Sequence, residues 1–268
     1  MSDDTTRRRF RGPWITVAVL SALFIVAPVG AEAWAQLARQ SHSYTSTETT
    51  EQHRVRAVEV DGGSSDVSVS AGTDNAVKIH QELSWSLRRP VVHRSWDGDT
   101  LKVSTACDGV LALTSLGCEI KLELAVPAGI SVKVVNSSGP VRVSGLAGPL
   151  DVRSTSGSVQ LYGVRGPVKA KVGSGSVKGV ALGSPTVDAR AGSGQVSLDF
   201  AAPPRELTGS VGAGEFAATV PPGSRYRVQG STGSGSREID SALTEPASDL
   251  VIDASSGSGT VRIGYPGR

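Results

Sequence analysis

The chain has 268 residues, with Lys+Arg 27 against Asp+Glu 25 and a formal net charge of only +2, so no global charge imbalance points to nucleic acid as a partner. Gly 32 and Pro 14 make turns frequent, and aromatics at 4% leave little for a conventional large core. With Val, Ser and Thr filling the space between the glycines, the composition predicts a β-rich, turn-rich chain whose burying is done by many short elements.

The first feature in chain order is basic. Arg7, Arg8, Arg9 and Arg11 precede an apolar run that begins at Trp14 and reaches Pro28. A helix continued to Leu37, with Glu32 as its one charge, is long enough to cross a bilayer, which takes about 20 residues, and the arginines then stay inside. The reading is therefore a cytoplasmic basic N-terminus over 1–13 and an uncleaved signal-anchor over 14–37. The alternative is a cleaved signal peptide followed by secretion, because Ala31-Glu-Ala33 and Ala33-Trp-Ala35 are small-x-small sites behind a helix-breaking proline. Thr6 to Phe10 also resembles a twin-arginine signal, although a plain stop of positive charge accounts for the same residues. In either case everything after Arg39 is expected outside the membrane, as a single-pass cell-membrane protein or a secreted one. Residues 38–54 are polar with no apolar period and read as a linker.

The rest, 55–268, is expected to be an extracytoplasmic β-solenoid. A Ser/Gly turn recurs at Gly139, Gly157, Gly175, Gly194, Gly214, Gly235 and Gly259, at intervals of 18, 18, 19, 20, 21 and 24. A near-constant period of this kind marks a stack of one supersecondary unit. Seven before each glycine stand Val132, Leu150, Val168, Val187, Leu207, Val228 and Ile252, so that column faces inward. Five before it come Val134, Val152, Ala170, Ala189, Gly209, Gly230 and Ala254, whose shrinking size suggests a narrowing interior. Pairs such as Val159/Leu161 and Val196/Leu198 give a second inward strand after the turn; Arg237 breaks that pattern in the sixth repeat. Leu146, Val164 and Leu182 plug a corner, and Gly148-Pro149, Gly166-Pro167 and Ser184-Pro185 turn into the next coil.

An earlier copy fits the template, with Val58 and Val60 before Ser64-Ser65 and Val67 and Val69 after it. From Val77 to Pro127 longer alternating segments interrupt the period, with a hairpin signal at Asp97-Gly98, and read as an inserted β-meander at one end of the stack. Cys107 and Cys118 lie in this insert. Their spacing excludes a CxxC redox or zinc motif, and in an oxidising compartment they are expected to form one disulfide, restricting the unfolded chain by roughly 3 kcal/mol.

The arrangement from Arg56 through Asp66-Val-Ser-Val, then Val126-Pro-Ala-Gly-Ile-Ser-Val-Lys-Val, then repeated Ser-Gly-Ser-Val units resembles the DUF4097 β-strand-repeat family, also labelled putative adhesin domains. The resemblance covers Val55 to the C-terminus. It extends to the actinobacterial type in its basic N-terminus, one membrane segment and polar spacer. What it implies is a surface-exposed β-solenoid with no established activity and no functional residues to carry over.

A search for chemistry finds no catalytic constellation. The Gly-Ser-Gly turns lack the Gly-Lys-Ser/Thr ending of a phosphate loop and precede strands, not helices. No regular acidic ligand accompanies the turns, as calcium-binding β-rolls require, and His42, His53, His80 and His93 are dispersed, so no metal or cofactor is expected. Two charged columns remain. Six before the glycine, Lys133, Asp151, Lys169 and Asp188 alternate in sign; four before it, Arg153, Lys171 and Arg190 repeat one sign. The second column is the candidate anion-binding stripe, for an envelope polymer or lipid head groups; the competing reading is a solvated face that protects the sheet from association. The expected function is a non-enzymatic, membrane-anchored scaffold or binding protein of the cell envelope, partnered by the membrane and by an envelope polymer or protein. The alternative from another class is a carbohydrate-active solenoid enzyme with clustered carboxylates on one face, and a third is a structural module whose open end a partner covers.

Overall fold

In the computed structural model the described residues are 21, 40–48, 55–74, 76–85, 89–107 and 118–267. The expected anchor over 14–37 lies outside them apart from Ser21, and among the described residues no helix is long and apolar enough to cross a membrane. Among the described residues sixteen strands form one open sheet, accompanied by a short 3-10 turn at Ser241–Leu243. The chain is all-β.

Its centre consists of four long strands, β10 (Leu150–Tyr162), β11 (Val168–Leu182), β12 (Thr186–Phe200) and β13 (Glu206–Thr219), paired in parallel along their whole length. Each turn glycine is the register partner of the next, so a sequence period of 18 to 20 becomes a stack with every repeat position aligned. The physical reason lies at the glycine itself. Gly157, Gly175, Gly194 and Gly214 have φ between +126° and +149°, and a Cβ on any of them would sit well inside van der Waals contact of the previous turn glycine's carbonyl oxygen. Only glycine lets the bends stack at strand spacing.

The inward columns are buried as their period predicts. Val132, Leu150, Val168, Val187, Leu207 and Ile252 are each 3% exposed or less, and Leu146, Val164 and Leu182 fill the corner completely. The column five before the glycine does shrink, and at Gly209 the other half of the layer makes up the loss. Gly209 leaves the space that the ring of Phe216 enters from the other half of the same strand, whereas the neighbouring layers use Ala189 with Val196 and Ala254 with Val261. At Gly209 the volume missing from one half of the layer is supplied by Phe216 from the other.

Layer order departs from chain order at both ends. β2 (Ala57–Gly63) and β3 (Asp66–Gly72) form one layer against β8 (Ser131–Ser138) and β9 (Val141–Ser144), and β6 (Thr100–Ala106) with β7 (Glu119–Pro127) stacks outside them in parallel. The insert is therefore a further layer of the stack rather than a separate meander. Only β4 (Val77–Trp85) and β5 (Val91–Asp97) pair antiparallel to it, and β5 joins β6 through the expected turn at Gly98, whose φ is +58°. At the other end β16 (Val251–Gly264) slots between β13 and the layer of β14 (Arg227–Gln229) and β15 (Thr232–Ile239). The sixth repeat in sequence is the last layer in space, which is why Arg237 is tolerated there: it lies exposed and donates to the Gln229 carbonyl at 2.8 Å. The lengthened intervals supply the crossover and a lid, with Tyr226 and Leu243 fully buried over the end and the Tyr265 hydroxyl donating to the Ser224 carbonyl at 2.7 Å. Nine layers from β6/β7 to β14/β15 make a stack about 40 Å long.

A second correction concerns the linker. Gln40–Glu48, inside the expected spacer, is strand β1, antiparallel to β4, with the His42 ring stacked on Trp85 at 4.8 Å. Tyr and β-branched Thr favour extended backbone there, and the open edge of β4 offers hydrogen-bonding groups that a polar segment satisfies without an apolar period.

Cys107 and Cys118 form the expected disulfide, tying the end of β6 to the start of β7. Reduction is expected to cost at most about 3 kcal/mol, because the bond closes a loop of sequence separation 11 whose flanking strands are already held by their layer neighbours. Thermal melts with and without reductant check this: the midpoint should fall by no more than about 10 °C.

A candidate binding face on the stacked strands

Outward residues alternate with the buried columns, so each outward repeat position becomes a row along the stack with one residue per layer, about 4.8 Å apart. Arg153, Lys171 and Arg190, from β10, β11 and β12, are consecutive register partners and form one such row. The structure thus brings the three stripe residues together. It also places beside them the alternating row that includes Asp151, Lys169 and Asp188, two residues earlier on the same strands.

That proximity changes the electrostatics. Arg153 reaches back to Asp151 through both Nε and Nη2, at 3.2 and 2.9 Å, and Arg190 Nε donates to Asp188 at 2.6 Å. The hydrogen bond from Asp151, and then its charge, holds the Arg153 guanidinium above its ordinary pKa. Between these two neutralised arginines Lys171 forms no ion pair among the described residues. The stripe is therefore a row of three cations in which only the central one has an uncommitted charge. Beside the row lies a shallow groove of about 350 Å³, lined by Val135, Thr155 and Gly173 as well as the three basic residues. Val135, a large hydrophobic residue, is 39% exposed at its edge.

The alternating row is longer than sequence order suggests. Because β6 and β2 stack beneath β8, Lys102 and Glu59 precede Lys133, and the row reads Lys102, Glu59, Lys133, Asp151, Lys169, Asp188 in consecutive layers. Lys133 pairs with Glu59 at 3.3 Å. Lys102 pairs sideways with Asp97 at 2.6 Å, and that hydrogen bond, with the charge behind it, lowers the Asp97 pKa and raises that of Lys102. A second groove of about 500 Å³ runs alongside, with Pro149 and Pro167 at its edge. Sequence reasoning missed Lys102 and Glu59 as members, since no local signal says that the insert stacks below the first repeat.

Among the described residues no group of three or more His, Cys, Asp or Glu side chains is arranged to hold a metal ion. On this face the carboxylates of Glu59, Asp151 and Asp188 alternate with lysines.

No family model and no curated protein matches the sequence. Solved structures to which this chain is similar include a "putative adhesin" from Parabacteroides distasonis, at 13% identity and TM-score 0.42, covering 84% of this chain and 97% of that one. A second "putative adhesin", from Bacteroides fragilis, has 12% identity and TM-score 0.39, covering 83% and 97%. A "putative lipid binding protein", also from Parabacteroides distasonis, has 12% identity and TM-score 0.33, covering 83% and 96%. At these identities and scores the similarity carries no argument about what this chain binds.

Proposed function

We propose that the chain is a non-enzymatic scaffold of the cell envelope: an extracytoplasmic β-solenoid, anchored through residues 14–37, that presents the charged face of β6 to β12 to another envelope component. The carrying observation is the unbroken register of six layers on that face, which turns single outward residues into ordered rows. Such rows match the periodicity of an extended polymer or of another regular surface better than that of a small molecule. Two features favour binding over hydrolysis. The carboxylates of the alternating row are separated by lysines, and two of that row's three are tied to arginines of their own strands. The basic row favours an anionic polymer or lipid head group, with Lys171 as the cation free to meet it.

Pull-down from envelopes with the full chain tests this. The wild type should capture an anionic polymer or lipid, and the Arg153→Ser/Lys171→Ser/Arg190→Ser variant should capture about tenfold less, with Lys171→Ser alone giving much of that loss. Equal capture by all three proteins would remove the stripe as the site.

A further inference from the structure

The row Lys102, Glu59, Lys133, Asp151, Lys169, Asp188 has a property that its members lack singly. It contains an even number of charges, alternates without a break, and is bounded at both ends by uncharged hydroxyl residues, Ser95 on β5 and Thr208 on β13. Read backwards, such a row is its own complement. From this charge complementarity we propose that the face pairs with the same face of a second copy of the chain, with the two stacks antiparallel; the proposal rests on the scaffold reading above and goes beyond it, making a second copy an occupant of the face in competition with an anionic ligand.

The orientation follows from the signs. A two-fold axis along the stack would set each layer against its own copy, lysine on lysine and carboxylate on carboxylate. A two-fold axis parallel to the strands reverses the layer order and keeps the rows aligned. Lys102 then meets the second copy's layer of Asp188, Lys169 that of Glu59, and Lys133 that of Asp151, each contact occurring twice. The neighbouring row obeys the same operation. Asp61 and Lys171 stand on β2 and β11, the second and fifth of the six layers, so each Lys171, with no ion pair among the described residues of its own chain, meets the opposing Asp61. Lys169 likewise forms no ion pair among the described residues of its chain. On the other side of the charged row the outward residues Ala57, Ser131, Pro149 and Pro167 are small or compact and carry no charge, which allows close approach.

Six layers at about 4.8 Å by three outward rows at about 6.8 Å give a patch of several hundred Å². That is below the about 800 Å² per partner of a standard stable interface, so the pairing is weak in dilute solution and sensitive to salt. Antiparallel pairing also places the two β1 ends, which follow the anchor segment in the chain, at opposite ends of the pair. The anchors of one pair would then sit far apart, in two facing surfaces or in one surface along which both stacks lie flat.

Cysteine trapping of the full-length chain in detergent tests the geometry. Two differently tagged variants are made, Glu59→Cys and Lys169→Cys, both at exposed or half-exposed strand positions whose replacement leaves the buried columns intact. Under mild oxidation at low salt, the mixture should give a disulfide-linked heterodimer. Either variant alone should give none, because its two cysteines would stand three layers apart. Raising NaCl to about 1 M, where screening acts within about 3 Å, should abolish the product. Same-site crosslinking in a single variant would mean parallel stacks and would overturn the proposal, as would the absence of a mixture-specific product. Envelope capture by the wild type reports separately on the scaffold reading, so failure of the crosslink leaves that reading standing.

Discussion

Replacing Gly175 by alanine is expected to be among the most damaging single substitutions in the chain, costing about 4 kcal/mol or more. Two independent terms add. The backbone at Gly175 has φ +131°, which an L-residue with a Cβ adopts only at a cost of about 1–3 kcal/mol. The new methyl would also collide with the Gly157 carbonyl oxygen in the layer below, a backbone atom held by both neighbouring strands. Relief requires the layers to separate at the bend, which breaks ladder hydrogen bonds that no side chain can replace. Gly163→Ala is the control: its φ of +57° is left-handed, but nothing lies within 4 Å of the added Cβ, so only the conformational cost of about 1–2 kcal/mol applies. Chemical denaturation followed by circular dichroism should rank the midpoints wild type, Gly163→Ala, then Gly175→Ala well below. Equal shifts for the two variants would show that backbone strain alone, and not stacking, requires the turn glycines.

The second large effect is a coupling. Gly209→Ala should destabilise by about 3 kcal/mol, because the added methyl falls within the ring of the fully buried Phe216. Phe216→Val should cost about 2–3 kcal/mol through the void left beside Gly209. The double variant recreates the Ala/Val combination that the adjacent layers already use, Ala189 with Val196 and Ala254 with Val261, and should return to within about 1 kcal/mol of wild type. A double-mutant cycle on the denaturation midpoints measures this, with a coupling of about 3 kcal/mol expected. Additive losses would mean that the two halves of a layer do not share one volume.

The same pair of residues shows how far sequence reading reaches. In the column five before the turn, the decline from Val134 to Gly209 is visible in the sequence, and taken alone it implies a taper. The compensating Phe216 is visible too. That it answers Gly209 can be seen only when the two halves of the bent strand face each other. The paired arginines follow the same logic. Arg153 and Asp151 are two apart on one strand, which places both on the outward side, but their hydrogen bonds depend on side-chain reach that no pattern states.

What the sequence by itself determined is the repeating unit: the turn glycines at intervals near 19, the inward columns, the corner plugs, the Asp97-Gly98 hairpin and the cysteine pair, all set by local geometry with short periods. What only the tertiary structure decided is the order of the layers. Every repeat carries the same template, so local signals leave neighbours interchangeable, and loop closure adds too little per residue to enforce chain order. The choice falls to completeness of the core. The strand β16 brings Ile252, Ala254, Val261 and Ile263 and can be covered on both sides, whereas β14 and β15 offer Gly230 and Arg237 at matching positions and can serve only as an end. The insert, with Leu101, Val103, Leu122 and Leu124 all buried, can likewise extend the other end. Through that placement Lys102 and Glu59 complete a six-membered charged row, because burial of apolar columns sets the order of the strands and the outward residues are carried with them.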